Sequence, residues 1–338
     1  MSLHGEVATA TAAPPASAAT MRAVVLDRFG DTGGLRIATV TMPVPVVGEL
    51  LIRVVAAGLN PIDVKTRAGG GAAAGVAGFP AVLGHDFSGV VVHSPYEAFR
   101  LQPGDEVFGV SAAPRSTGSF AEFMTVPAQQ VAAKPKVLSH AEAAAVPLAA
   151  ITAWGTVVEL AKAHEGQRIL IHAGAGGVGH LAVQLAAYFG AHVIATASGR
   201  NIAWLRELGA SETVDHTTTR FEDVVAEVDT VIDLVGDRQD HTGPRSLDVL
   251  RPGGLLVNVP SGSWPTLMDD AERAGVRATT YRMVPDAATL AVIGRLINSG
   301  DIRVSVQEVF PLERIAEAQR LVEDGHVRGK VVVQIADY

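Results

Sequence analysis

Apolar residues fall first in short runs broken by glycine and proline, and later in runs separated by amphipathic stretches of helix length. Over residues 21–146 the segments MRAVVLDRFG, ELLIRVVAAGLN, FSGVVV, DEVFGV and FAEFMTVP have strand length and strand composition. They predict a compact β-rich domain. Over residues 147–281 the rhythm changes. RILIHA, HVIATA, TVDH, TVIDLVG, GGLLVNV and VRATTY read as six strands, with helical segments such as VGHLAVQLAAYFG and RNIAWLRELGA between them. Such alternation builds a doubly wound parallel sheet, so the expected fold class is α/β. The tail, residues 282–338, carries two helical segments, PDAATLAVIGRLINSG and PLERIAEAQRLVEDG, then a closing strand, KVVVQIA. It is expected to rejoin the first domain. Residues 1–20 are rich in Ala, Thr and Pro, with no Lys or Arg and no apolar stretch. They read as a flexible leader, neither signal nor transit peptide.

Within RILIHAGAGGVGHLAVQLAAYFG, residues 174–179 form GxGxxG between a strand and a helix. Gly174, Gly176, Gly177, Val178 and Gly179 then make a tight turn whose backbone N–H groups can reach a pyrophosphate at a helix N-terminus. An acidic residue about 20 positions on would hold a ribose 2′-hydroxyl, yet none occurs from His192 to Arg206. Ser198 can donate a hydrogen bond and Arg200 a charge-assisted pair to a 2′-phosphate. NADPH is the expected cofactor; the alternative for Arg200 is a solvated residue opening the next helix.

Composition narrows the field. At 338 residues, two domains are the working expectation. A net charge of -8 and the lack of a basic cluster disfavour nucleic acid as a partner. No apolar run reaches the length of a membrane span. Cysteine is absent, which removes disulfides, thiol catalysis and cysteine-ligated metals, and is compatible with a cytoplasmic setting.

Seven segments in order, AAGLNPIDVKTRAG, LGHDFSGVV, PGDEVFG, GSFAEFMTVPA, AVPLAAITAW, HAGAGGVGHLAVQLA and HVRGKVVV, resemble the medium-chain dehydrogenase/reductase superfamily in its zinc-independent NADPH:quinone reductase branch. The resemblance implies a split GroES-like catalytic domain, residues 21–146 and 282–338, around a Rossmann domain, residues 147–281, with the site in the cleft between them. Where zinc-dependent members carry Cys, His-Glu and Cys, this chain places Asn60, His85-Asp86 and Ala149. One imidazole cannot make a zinc site, so no metal is expected. Without that Lewis acid, the implied reaction is hydride transfer from NADPH to an electron-poor quinone or α,β-unsaturated carbonyl.

The resemblance also assigns residues. Asn60 and Thr152 lie near the nicotinamide ribose and amide in the family; the alternative for Asn60 is a turn cap before Pro61. Asp63 orients the loop or caps the turn. His85 is a hydrogen-bonding cleft residue, and residues 118–123 line the acceptor side. Lys65 and Tyr281 face the substrate or are a surface lysine and a sheet-edge tyrosine. His216 replaces a tyrosine beside the adenine end of the cofactor, and Lys330 approaches the cofactor phosphate or is an exposed strand-edge lysine. Val235, in DLVG, and the segment NVPSG end two strands where ligands gather. An edge strand in VRATTY implies a homodimer. The competing functions are an enoyl-thioester reductase and a non-catalytic, crystallin-like NADPH-binding protein.

Overall fold

The computed structural model describes residues 19–111, 118–237 and 240–337. The expected leader therefore lies, up to residue 18, outside the described residues. The strands in chain order are β1 (Thr20–Leu26), β2 (Leu35–Thr41), β3 (Glu49–Leu59), β4 (Ala81–Val82), β5 (Asp86–His93), β6 (Glu106–Val110), β7 (Phe123–Pro127) and β8 (Val131–Ala133). They continue with β9 (Arg168–Ile171), β10 (His192–Ala197), β11 (Glu212–Asp215), β12 (Val228–Asp233), β13 (Leu250–Asn258), β14 (Arg277–Thr280), β15 (Val306–Pro311) and β16 (Lys330–Gln334).

The six strands expected between residues 147 and 281 form one parallel sheet in the order β11-β10-β9-β12-β13-β14. Its chain reverses direction of winding between β9 and β12, the place where open α/β sheets bind ligands beyond the strands' carboxyl ends. The GroES-like part is a seven-stranded sheet, β15-β16-β3-β5-β6-β8 with β7 also on β3, beside a small sheet β2-β1-β4. The fold is thus α/β with a β-rich partner, as the pattern of the chain implies.

The tail holds one element more than its pattern shows. Beside the helices Ala287–Ser299 and Ile315–Glu323 and the strand β16, residues Val306–Pro311 form β15, parallel to β16 at the sheet edge. Its Gln307 and Glu308 face outward, so an edge strand exposed along most of its length lacks the apolar run that announces a strand.

One core joins the two sheets. Phe108 and Val110 of the β-rich sheet share a buried cluster with Ile169, Ile171 and Ile232 of the parallel sheet, bridged by Ile151, Leu290 and Ile293 from two helices. Leu290, Ile293 and Ile297 follow helical spacing on Ala287–Ser299. Asp286 caps that helix by accepting from the N–H groups of Ala288 and Thr289, and Gly300 ends it in the left-handed region at φ 85°.

Register aligns the site. Lys330 follows on from the antiparallel pair Val331 and Leu59, so it stands opposite Asn60. On the other flank of β3, Asp86 is opposite Gly58. Gly58 lets the helix His140–Ala144 lie directly on β3, since a Cβ there would overlap the carbonyl of Ala144 and press on Asp86. Gly58→Ala is therefore expected to lower stability by about 1–3 kcal/mol, the range for overpacking, and a urea titration checks it. An unchanged midpoint would show that the helix can retreat freely.

Candidate active site

A chain of buried polar groups lies where β16, β3 and β5 end together. Asn60, 2% exposed, caps the helix Pro61–Arg67 in extended conformation, and its N–H donates to Asp63 Oδ2 at 2.8 Å. Its side chain turns elsewhere. Nδ2 donates to Asp86 Oδ2 at 2.9 Å, and Oδ1 accepts from Lys330 Nζ. Lys330 also donates to Leu59 O at 2.8 Å and pairs with Asp86 Oδ2 at 3.5 Å. Asp86 Oδ1 accepts from the N–H of Leu148 at 2.8 Å, which ties the helix Pro147–Trp154 to the sheet.

Burial pushes the Lys330 ammonium down from the usual lysine range, with Asp86 and then Asp63 opposing it. Burial likewise pushes Asp86 up, against Lys330, Asn60 and the Leu148 N–H. Three oxygens around Nζ and three donors around the carboxylate are the partners of a charged pair. His85 adjoins this chain. Its Nδ1 lies 2.7 Å from Asp63 Oδ1, with Asp63 fully buried and the His85 side chain 14% exposed. Burial works against the imidazolium, but Asp63 and then Asp86 outweigh it, and the pKa of His85 rises above the ordinary histidine value.

The glycine loop abuts the same cluster. A Cβ on Gly177 would press on Lys330 Cδ, and Gly329 donates its N–H to Ala175 O at 2.9 Å. A Cβ on Gly179 would overlap the carbonyl of Ala173, so only glycine lets the helix Gly179–Tyr188 start this close to β9. The N–H groups of Val178 and Gly179 meet no backbone carbonyl among the described residues, which leaves them for an anion. These groups fit the pyrophosphate of a dinucleotide.

Other sequence-named residues stand along the carboxyl edge of the parallel sheet. Ser198 and Arg200 follow β10, His216 follows β11, and Val235 follows β12 with its N–H on Asp233 Oδ1 at 2.9 Å. Arg200 is exposed and donates to His326 O at 2.9 Å. Asp215 stands opposite Ala197 at the end of β11. Its Oδ1 accepts from the N–H and hydroxyl of Thr217, which hold its pKa below the usual carboxylate range.

Lys330, Thr152 and Tyr281 make contacts that the sequence alone does not show. Lys330 is buried and faces Asn60, because its strand register aims it into the sheet end. Thr152 is buried and its hydroxyl donates to Leu148 O within its own helix, at 2.7 Å. Tyr281 covers Gly155 and donates to Ile151 O at 3.3 Å. Burial and then Glu159 push its phenol up to about 12. Lys65 is half-buried on the helix Pro61–Arg67.

Sequence reading named Asp86 beside His85 without giving it a role, and it passed over two buried histidines. His180, fully buried, has Nδ1 3.0 Å from Gly176 O while Nε2 accepts from the Ser305 N–H at 3.4 Å, which fixes the glycine loop to the returning tail. His172 lies between Thr196 and Ser246 hydroxyls at 3.2 and 2.9 Å. The only signal for them was polarity inside apolar runs.

Residues 47–136 match the model for the alcohol dehydrogenase GroES-like domain, and residues 208–333 that for zinc-binding dehydrogenase. The NAD(P)H oxidoreductase RTN4IP1, mitochondrial, of Danio rerio is 32% identical over 94% of this chain and 92% of its own. The chain belongs to the medium-chain dehydrogenase/reductase superfamily, in its quinone oxidoreductase-like branch. The 2-methylene-furan-3-one reductase of Solanum lycopersicum is 34% identical over 93% of this chain and 79% of its own. The quinone oxidoreductase structure from Coxiella burnetii superposes with a TM-score of 0.88 at 36% identity, over 94% of this chain and all of that one. The chain is accordingly an oxidoreductase that uses a nicotinamide dinucleotide.

The residues present do not fit the zinc that one matching model is named for. Asn60 and Asp86 are committed to each other and to the Lys330 ammonium, a cation where zinc would need neutral or anionic donors. No group of three candidate ligands converges among the described residues.

The two buried histidines give a pH prediction. Burial lowers His172 to about 3 and His180 to about 4, so both fold neutral and must charge on unfolding below their unfolded value. Stability is full above about pH 6.5 and falls as pH drops towards 4, by up to about 1.4 kcal/mol per pH unit for each histidine. Urea unfolding at a series of pH values should show this limb, made shallower by His180→Gln. An equal slope in parent and variant would contradict a neutral buried His180.

Proposed function

We propose that the protein reduces small conjugated carbonyl compounds, quinones or enones, with NADPH and without a metal. The observation that carries this is the buried Asn60–Asp86–Lys330 cluster, which fills with hydrogen bonds the place where zinc-dependent relatives hold their ligands. The relatives named for reducing quinones and a methylene-furanone support the acceptor class. When bound, the cofactor supplies the hydride, and the protein contributes alignment and exclusion of water. The Asn60 amide, fixed by Asp86 and Lys330, would form part of the wall beside the nicotinamide, and the loop of residues 174–179 would hold the pyrophosphate.

NADPH in preference to NADH rests on Arg200 and His216 at the ends of β10 and β11, with the carboxylate of Asp215 engaged by Thr217. Arg200→Asp is expected to weaken NADPH by about 1.5–3 kcal/mol and NADH much less, as read by fluorescence titration. Equal affinity of the parent for both cofactors would remove the preference. We also propose a homodimer paired through β14, an edge strand of the parallel sheet. Light scattering in the micromolar range should give twice the chain mass, and a monomer would contradict it.

A cytoplasmic setting is proposed on composition, although the RTN4IP1 relative is named as mitochondrial. Among the described residues no helix is long and apolar enough to cross a membrane. Activity is tested with a panel of quinones, simple enones and enoyl thioesters, followed by NADPH oxidation. Turnover of quinones or enones after exhaustive chelation supports the reading. Turnover restricted to thioesters, or none at all, overturns it.

A further inference from the structure

We propose that His85, held by Asp63, is the proton donor that completes the reduction, delivering its Nε2 proton to the carbonyl oxygen of the acceptor. This rests on the reductase reading above and assigns a step that hydride transfer alone leaves open. The segment carrying His85 is strapped in place from both sides. Phe120 donates its N–H to Leu83 O at 3.0 Å, Ser119 to Gly84 O at 3.2 Å, and Ser111 to His85 O at 2.9 Å. The backbone that carries His85 is therefore held by residues 111, 119 and 120, and the ring itself is fixed by Asp63.

Asp63 sets the tautomer. Its Oδ2 is occupied by the Asn60 N–H at 2.8 Å, and its Oδ1 takes the Nδ1 proton of His85 at 2.7 Å. Nε2 then has no hydrogen-bond partner among the described residues, and the ring is the member of the cluster with exposed surface, 14% against none for Asp63. A buried carboxylate behind an imidazole whose far nitrogen is open is an arrangement for proton transfer. Asn60 cannot take that role, because its amide is committed to Asp86 and Lys330.

A hydride forms a new C–H bond at the conjugated terminus of the acceptor, and the π pair moves through the conjugated system onto the carbonyl oxygen. The Nε2–H bond of His85 breaks as the O–H bond forms, leaving a neutral imidazole that water reprotonates. The reductant is the dihydronicotinamide of the proposed function. The charged groups facing His85 are Asp63 from the helix Pro61–Arg67 and Asp86 from β5, with Lys330 from β16 neutralising Asp86. Asp63 and Asp86 both favour the imidazolium.

The test uses the full chain, with His85→Gln and Asp63→Asn as variants. Proton NMR of the histidine Cε1–H signals, assigned by the signal lost in His85→Gln, should show His85 titrating above the ordinary histidine range and falling back in Asp63→Asn. Because the donor must be charged, kcat/KM for a simple enone should decline as pH rises through that same pKa. His85→Gln should lose this limb and drop kcat by roughly 10²–10⁴-fold, with NADPH affinity unchanged. If His85→Gln does not fold, the joint shift of the NMR titration and the rate limb in Asp63→Asn reads the same point.

A His85 that titrates at or below the ordinary value overturns the proposal without any turnover measurement. So does a His85→Gln enzyme that keeps the parent's limb and rate, a result that leaves the reductase reading standing. A parent that reduces no conjugated carbonyl removes both. A merely structural histidine would move melting temperature and KM and leave the pH limb in place.

Discussion

A lysine ammonium enclosed at the end of a β-sheet is costly unless every one of its protons meets an oxygen and its charge meets an opposite one. Lys330 meets Leu59 O, Asn60 Oδ1 and Asp86, and these three come from two further strands. The requirement couples distant parts of the chain. The returning tail must place β16 against β3 in one register, β5 must begin at Asp86, and the helix Pro147–Trp154 must start where Leu148 can complete the carboxylate's set of donors. The glycine loop packs on the stem of the same lysine. Position of the glycine loop and position of the β-rich sheet thus depend on one ion pair.

The same constraint explains how this site differs chemically from that of zinc-dependent relatives. At the positions that resemble the ligands of zinc-dependent relatives, Asn60 and Asp86 are bonded to the Lys330 ammonium. What remains for chemistry is an amide fixed in orientation and an imidazole with one open nitrogen, each held by a buried carboxylate. Such a site polarises weakly, which suits an acceptor already poor in electrons better than an alcohol that must become an alkoxide. The two buried neutral histidines, His172 and His180, act differently: they satisfy hydrogen bonds near the glycine loop and add no charge to it.

How much of this the sequence shows depends on the range of each interaction. The parallel sheet was legible because six apolar runs are separated by helix-length segments, and the dinucleotide loop because its glycines lie together in the chain. Asn60, Asp63 and His85 were singled out through motifs that sit on one stretch of chain each, and the fold joins them in one hydrogen-bonded group. β15 was not, since an exposed edge strand carries polar residues. The place of Lys330 was not either: a lysine opening a strand reads the same at a surface as inside, and only the pairing of β16 with β3, some 270 residues apart, decides between them. The packing of Tyr281 over Gly155 is likewise a contact between segments that no local pattern announces.

The central claim is that Lys330 and Asp86 form one buried charged unit on which the site is built. A double-mutant cycle on stability, with Lys330→Met, Asp86→Asn and the pair together, tests it most directly. Each single change strands a buried charge or its partner and should cost about 3–5 kcal/mol. The double variant should cost much less than the sum, since neither charge is then left alone. Single effects that simply add would contradict the account, because they would mean that the two residues act independently.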